Sequence, residues 1–162
     1  MWGKTVRTKQ PESEVVAQGY VLRVLQVAWK SEAELRQKLV EKGFVASVVE
    51  STLEYVRKLG YINDARYAES LVRSFAEVKS YGFHHAKAKL LQKRIPNTII
   101  TQALEDGFGL VQEQQAVVRA LQKFGHTIES FSELVFTDKQ KILGKLQARG
   151  FRSAAIHAAL AS

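Results

Sequence analysis

The side chains of this sequence best placed to do chemistry are cations at helical spacing. Lys38 and Lys42, Lys89 and Lys93, and Lys145 and Arg149 are each four residues apart, so each pair forms a ridge on one face of a helix. Two stretches around them contain no acid. Residues 78–104 hold Lys79, Lys87, Lys89, Lys93 and Arg94, and residues 139–162 hold Lys139, Lys141, Lys145, Arg149 and Arg152. What such residues offer is electrostatic: they neutralise a polyanion and release its counterions. One basic pair in a last helical turn would do no more than complement the helix dipole. Three pairs in one frame, flanked by acid-free windows, favour a surface that faces a polyanion. The balance of the chain agrees, since 24 Lys+Arg against 16 Asp+Glu leave +8 on 162 residues, which suits nucleic acid, an anionic membrane surface or an acidic protein face.

Other chemistries find no residues to carry them. Histidines 84, 85, 126 and 157 include no i, i+3 or i, i+4 pair and have no carboxylate cluster beside them, so no metal site is expected. The absence of cysteine excludes a disulfide framework, a thiolate nucleophile and Cys-liganded zinc or iron–sulfur, and suits a reducing compartment. Gly107-Phe108-Gly109 lacks the Lys-Ser/Thr or third Gly of a phosphate loop, so it reads as a helix terminus. Nothing resembles a nucleophile elbow or a glycosidase carboxylate pair. The expectation is a non-enzymatic protein with no catalytic residues, no cofactor and no metal. The basic start, residues 1–11, lacks the apolar run of a secretory signal. The longest uncharged runs, 95–104 and 153–162, are about half of the ~20 residues a membrane span needs. A cytoplasmic protein without a membrane partner is expected.

The elements that must position the cations are helices. Only two prolines occur among 46% hydrophobic and 25% charged residues, and no apolar/polar alternation marks a strand. Ser31-Glu32-Ala33-Glu34 has the form of a capping box and Gly43 that of a left-handed helix end, so the spacing predicts a helix over 32–42. The stretch from Lys38 to Phe44 recurs from Lys89 to Ile95 and from Lys145 to Phe151. Val48, Val49 and Leu53 then match Ile99, Ile100 and Leu104, and Ala155, Ile156 and Leu160. A further helix with an apolar stripe precedes each copy, over 15–30, 64–79 and 111–124. The predicted fold is all-α: three tandem three-helix, helix-turn-helix-like repeats at residues 15–62, 63–109 and 110–162, in an elongated, curved modular array. Residues 1–14 form a flexible polar tail, and 125–136 a longer connection.

The segment from Gly60 to Tyr67 is a helix end, closed by Gly60, followed by a new start capped by Asn63 or Asp64. Its full text, Gly-Tyr-Ile-Asn-Asp-Ala-Arg-Tyr-Ala, continued by Leu71-Val72-Arg73 and Tyr81-Gly82, closely resembles the signature of the RecX family, bacterial regulators of the recombinase RecA. The stretch from Ser31 to Leu39 resembles that family's other marked segment, and residues 136–149 its third-unit helix. Four positions depart from the family pattern: Arg94 stands for a usual Gly, His85-Ala86 for Arg-Ile, and Asn63 for Asp. Arg94 therefore implies either a non-glycine residue with positive φ or a different helix end.

The resemblance implies binding to RecA and to its filament on single-stranded DNA, with double-stranded DNA as a further candidate, in DNA repair, recombination and the SOS response. It implies restraint of strand exchange and ATP turnover by a monomer. The residues expected to make these contacts are Arg36, Lys38, Lys42, Arg66, Arg73, Lys87, Lys89, Lys93, Arg94, Lys141, Lys145 and Arg149. The alternatives are an autonomous helix-turn-helix transcription protein and a helical adaptor with no nucleic-acid role.

Overall fold

Two hydrogen bonds start the helix that the sequence marks most clearly. In the computed structural model, which describes residues 7–161, the Ser31 hydroxyl accepts from the Glu34 N–H at 3.1 Å, and the Glu34 carboxylate accepts from the Ser31 N–H at 3.0 Å. Gly43, at φ 93°, closes the same helix, so its bounds Glu32–Lys42 are those the sequence predicts. All regular structure among the described residues is helical: α1 (Glu14–Val27), α2 (Glu32–Lys42), α3 (Ala46–Lys58), α4 (Asp64–Arg73), α5 (Phe83–Gln92), α6 (Asn97–Gly107), α7 (Leu110–Lys123), α8 (Ile128–Ser132), α9 (Phe136–Ala148) and α10 (Ser153–Leu160). The chain divides into two compact units. One runs through Tyr67 and includes Lys93–Ile95; the other comprises Ala68–Gln92 and the chain from Pro96 onward.

In the first unit, Leu35 and Leu39 of α2 lie one turn apart on the face turned to α1 and α3. There they meet Ala17, Val21, Phe44, Val48, Val49, Leu53, Val56 and Ile62. A buried side chain of Leu or Val size contributes about 1.5–3 kcal/mol by leaving water. The choice of cap for α4 is also settled. Asn63 Oδ1 accepts from the Arg66 N–H at 2.9 Å, whereas Asp64 Oδ1 accepts from the Glu32 N–H at 3.0 Å and so serves the first turn of α2. Part of the expected tail is tied down: the Thr8 N–H donates to the Lys42 carbonyl at 2.7 Å, and Pro11 accepts from the Val45 N–H at 3.0 Å. The remainder of that expectation, residues 1–6, lies outside the described residues.

In the second unit, α4 passes into a π-helical stretch, Ser74–Lys79, where an uninterrupted helix over 64–79 was expected. The wider turn leaves carbonyls open, and α7 supplies donors to them. Arg119 donates to the Ala76 carbonyl at 3.2 Å and Lys123 to that of Val78 at 2.6 Å. The connection over 125–136 contains a short helix, α8, started by Thr127 and Ser130, whose side chains each accept from the other's N–H. Ala116, Val117, Ala120 and Leu121 of α7 bury against Ile142 and Leu146 of α9 and against Ile156 and Ala159 of α10. The start of α5 meets the end of α9 backbone to backbone: the Gly82 N–H donates to the Arg149 carbonyl at 2.9 Å, and the His84 N–H to that of Gly150 at 2.8 Å. A Cβ on Gly82 would stand 2.3 Å from Phe151 Cα and N, so only glycine allows this approach.

Candidate nucleic-acid interface

The three repeated turns share one backbone conformation. Gly43, Arg94 and Gly150 have φ values of 93°, 56° and 83°, so the non-glycine residue takes the left-handed form and the helix end keeps its shape in all three copies. Just before each turn lie the basic pairs, and their two positions behave differently. The first residues, Lys38, Lys89 and Lys145, form no ion pair with an acid among the described residues. Lys89 donates to Gln92 Oε1 at 3.3 Å, and Lys145 lies 5.5 Å from the centre of the Phe124 ring.

Two of the second residues, Lys93 and Arg149, are held by oxygen acceptors within the protein. Lys93 Nζ pairs with Glu34 Oε1 at 3.0 Å. Burial alone would lower its pKa, but the Glu34 hydrogen bond and charge, with the Tyr67 hydroxyl, raise it above the usual lysine value. Arg149 donates to the carbonyls of Lys79 and Ser80 at 3.1 and 3.2 Å, and its guanidinium lies 5.2 Å from the Tyr81 ring centre and 5.1 Å from that of Phe124. Lys42 lies 5.5 Å from the ring centre of Tyr20. At the second position Lys93 and Arg149 thus bond to oxygen acceptors, whereas Lys42 makes the same kind of ring contact as Lys145, at the same 5.5 Å.

The other expected contact residues divide in the same way. Arg36 is clasped by Glu50, with one of its two bonds at 3.1 Å, and approaches Glu32 at 3.5 Å; the Glu50 hydrogen bond chiefly raises its pKa. Arg73 lines a cleft of about 420 Å³ together with Glu69, Glu77 and Asp106, acids that oppose a phosphate there. Lys141 pairs with Asp138 at 2.8 Å on the surface, a contact that water and salt weaken readily. Lys87, Arg94 and Arg66 are exposed and form no ion pair with an acid among the described residues. No group of three or more His, Asp or Glu among the described residues is placed to hold a metal, and no helix among them is long and apolar enough to cross a membrane.

Two arrangements escape the sequence reading. Glu113 is 0% exposed; its carboxylate accepts from the Phe83 N–H at 3.1 Å and the Arg152 N–H at 3.0 Å and pairs with the Arg152 guanidinium. Arg152 also donates to the Phe108 carbonyl at 2.6 Å, so one ion pair, buried on its Glu113 side, ties the starts of α5 and α10 to the turn before α7. The available signal was an acid one turn ahead of Ala116 and Val117 on the apolar stripe of α7. Trp29, stacked on Tyr67 with Arg66 close by, had no sequence signal, because thirty-seven positions of chain separate the two cation–aromatic partners.

Models of the first and second three-helix domains of RecX match residues 17–55 and 63–104. The regulatory protein RecX of Trichlorobacter lovleyi is 30% identical over 125 residues, covering 75% of this chain and 78% of the relative. That of Clostridium acetobutylicum is 28% identical over 141 residues, covering 86% and 63%, and that of Clostridium perfringens strain 13 is 25% identical over 130 residues, covering 80% and 60%. The chain thus spans about 60% of the length of these clostridial relatives. The crystal structure of RecX from Lactobacillus salivarius has the same fold, with a TM-score of 0.79 at 23% identity over 91% of this chain and 94% of that one. Helical repeats with matching turns, two adjoining domain matches and a relative aligned over most of both lengths make this chain a member of the RecX family.

Proposed function

We propose that this chain is a non-enzymatic regulator of homologous recombination that binds RecA and its filament on single-stranded DNA and restrains strand exchange and ATP turnover. It acts as a cytoplasmic monomer in DNA repair and the SOS response, and meets bare single- or double-stranded DNA through the same cations. We read it as three three-helix repeats, at residues 15–62, 63–109 and 110–162. One observation carries the reading beyond family membership: Lys38, Lys89 and Lys145 occupy the same place in three copies of one helix end, and none has an acid for a partner among the described residues. Equivalent cations in three successive repeats suit a polymer that presents many phosphates or acidic subunit faces. Lys87, Arg94 and Arg66 join this set. Arg36, Lys93 and Arg149, engaged inside the protein, serve the fold.

An autonomous transcription protein would carry a base-reading helix with Asn, Gln or Arg gathered at its N-terminal end, and the repeated lysines are not that pattern. The test is a triple variant, Lys38→Gln, Lys89→Gln and Lys145→Gln, which leaves helix propensity nearly unchanged. If each lysine neutralises one phosphate, the variant's slope of log K against log[salt] on single-stranded DNA is shallower than the parent's by about 2. If the partners are acidic RecA side chains, bare-DNA binding is kept while filament binding weakens. A variant that binds both bare DNA and filament like the parent at every salt concentration overturns the assignment of these lysines.

A further inference from the structure

Trp29 stands in the connection between α1 and α2 and is 54% exposed, although burying an indole would remove a large apolar surface from water. It is not loose. Its ring stacks on that of buried Tyr67, with centroids 6.3 Å apart and planes 24° apart, and the Arg66 guanidinium carbon lies 5.9 Å from its centre. Arg66 forms no ion pair among the described residues. Asp64, two positions before it, has its carboxylate on the Glu32 N–H. Lys30 follows Trp29 directly in the chain.

An exposed aromatic ring fixed by a buried neighbour, beside a cation with no acidic partner, has the composition of a platform for a nucleic-acid base and its phosphate. We infer that Trp29 and Arg66 form a stacking site for an unpaired base of single-stranded DNA, with Arg66 and Lys30 meeting the adjoining phosphates. The inference rests on the reading of this chain as a DNA-contacting protein and adds to it a preference between strand states. The lysines meet phosphates, which single strands and duplexes both carry, whereas the bases of a duplex are already stacked on one another and offer Trp29 no free face.

The test uses the full chain with Trp2→Phe, which leaves Trp29 as the single indole. Binding of a thymidine oligonucleotide and of a duplex of equal length is followed by the anisotropy of labelled DNA, and Trp29 emission is read in parallel with unlabelled DNA. The single strand quenches Trp29; the duplex binds without quenching. Trp29→Ala weakens single-strand binding about 5- to 150-fold, the range measured for loss of one base–aromatic stack, and leaves duplex binding and helical circular dichroism unchanged. Trp29→Phe recovers most of the loss. If anisotropy saturates on the single strand without any change in emission, and Trp29→Ala binds like its parent, the stacking site is wrong and the DNA-contacting reading stands. If neither DNA changes its anisotropy, the DNA-contacting reading itself fails and the stacking site falls with it.

Discussion

Arg94 adopts φ 56° at the turn where the two equivalent positions carry Gly43 and Gly150. An L-residue in the left-handed region costs about 1 kcal/mol that glycine does not, and part of the gain from glycine is lost to its greater freedom in the unfolded chain. Arg94→Gly should therefore stabilise the protein by about 0.5–1 kcal/mol in denaturant melts while removing one cation from the proposed DNA surface. A loss of stability would mean that the Arg94 side chain contributes to the fold. His85 lies flat on Tyr81, with centroids 3.9 Å apart. Burial first, then the charges of Lys89, Lys79 and Arg149, lower its pKa below the ordinary 6.5. The folded state thus binds this proton less readily than the unfolded chain, so its contribution to stability is present above about pH 6.5 and is lost progressively as the pH falls toward the folded value. Melts between about pH 7.5 and about pH 5.5 should show the parent losing stability relative to His85→Gln. Parallel curves for the two proteins would remove His85 from the explanation.

The start of α5 depends on two contacts, the close approach of Gly82 to Phe151 and the Glu113 carboxylate. Gly82→Ala sets a methyl group 2.3 Å from the backbone of Phe151, which cannot give way as a flexible side chain would, so a loss of about 3 kcal/mol or more is expected. Gly144→Ala, inside α9 with nothing within 4 Å of the new Cβ, should instead gain about 0.5–1 kcal/mol. Thermal melts of the pair, side by side, check both signs. Glu113→Ala leaves Arg152 and two backbone N–H groups without their buried acceptor, and should cost about 3–5 kcal/mol. A loss below about 1 kcal/mol would show that the pair is not what joins these elements. What the sequence made legible here was local. The bounds of α2 followed from a cap four residues long and one glycine, and the repeated helix ends from a pattern of seven. The π-helical stretch was not legible, because its open carbonyls depend on Arg119 and Lys123, more than forty positions away. The start of α8 was a missed local signal, in which Ser130 fills the place that Glu or Gln usually takes in a capping box.

Over the whole molecule, the net charge of +8 favoured an acidic partner but did not single out the residues that would meet it. The sequence marked Lys89 and Lys93 as one ridge. Lys93 is instead held by Glu34, 59 positions away, and no periodicity reports a partner at that distance. Charge count and helical spacing thus located the candidate surface, and tertiary pairing decided which of its cations are free. The family carries the regulatory reading, and the lysines without an acidic partner at three equivalent helix ends are the residues proposed to meet a polyanion. The measurement that bears most directly on this is ATP hydrolysis by RecA on single-stranded DNA, titrated with the full chain. Substoichiometric protein should suppress hydrolysis, since one regulator seated along a filament restrains several subunits. If saturating protein leaves both ATP hydrolysis and strand exchange unchanged, this chain does not regulate RecA, and its helical repeats serve another partner.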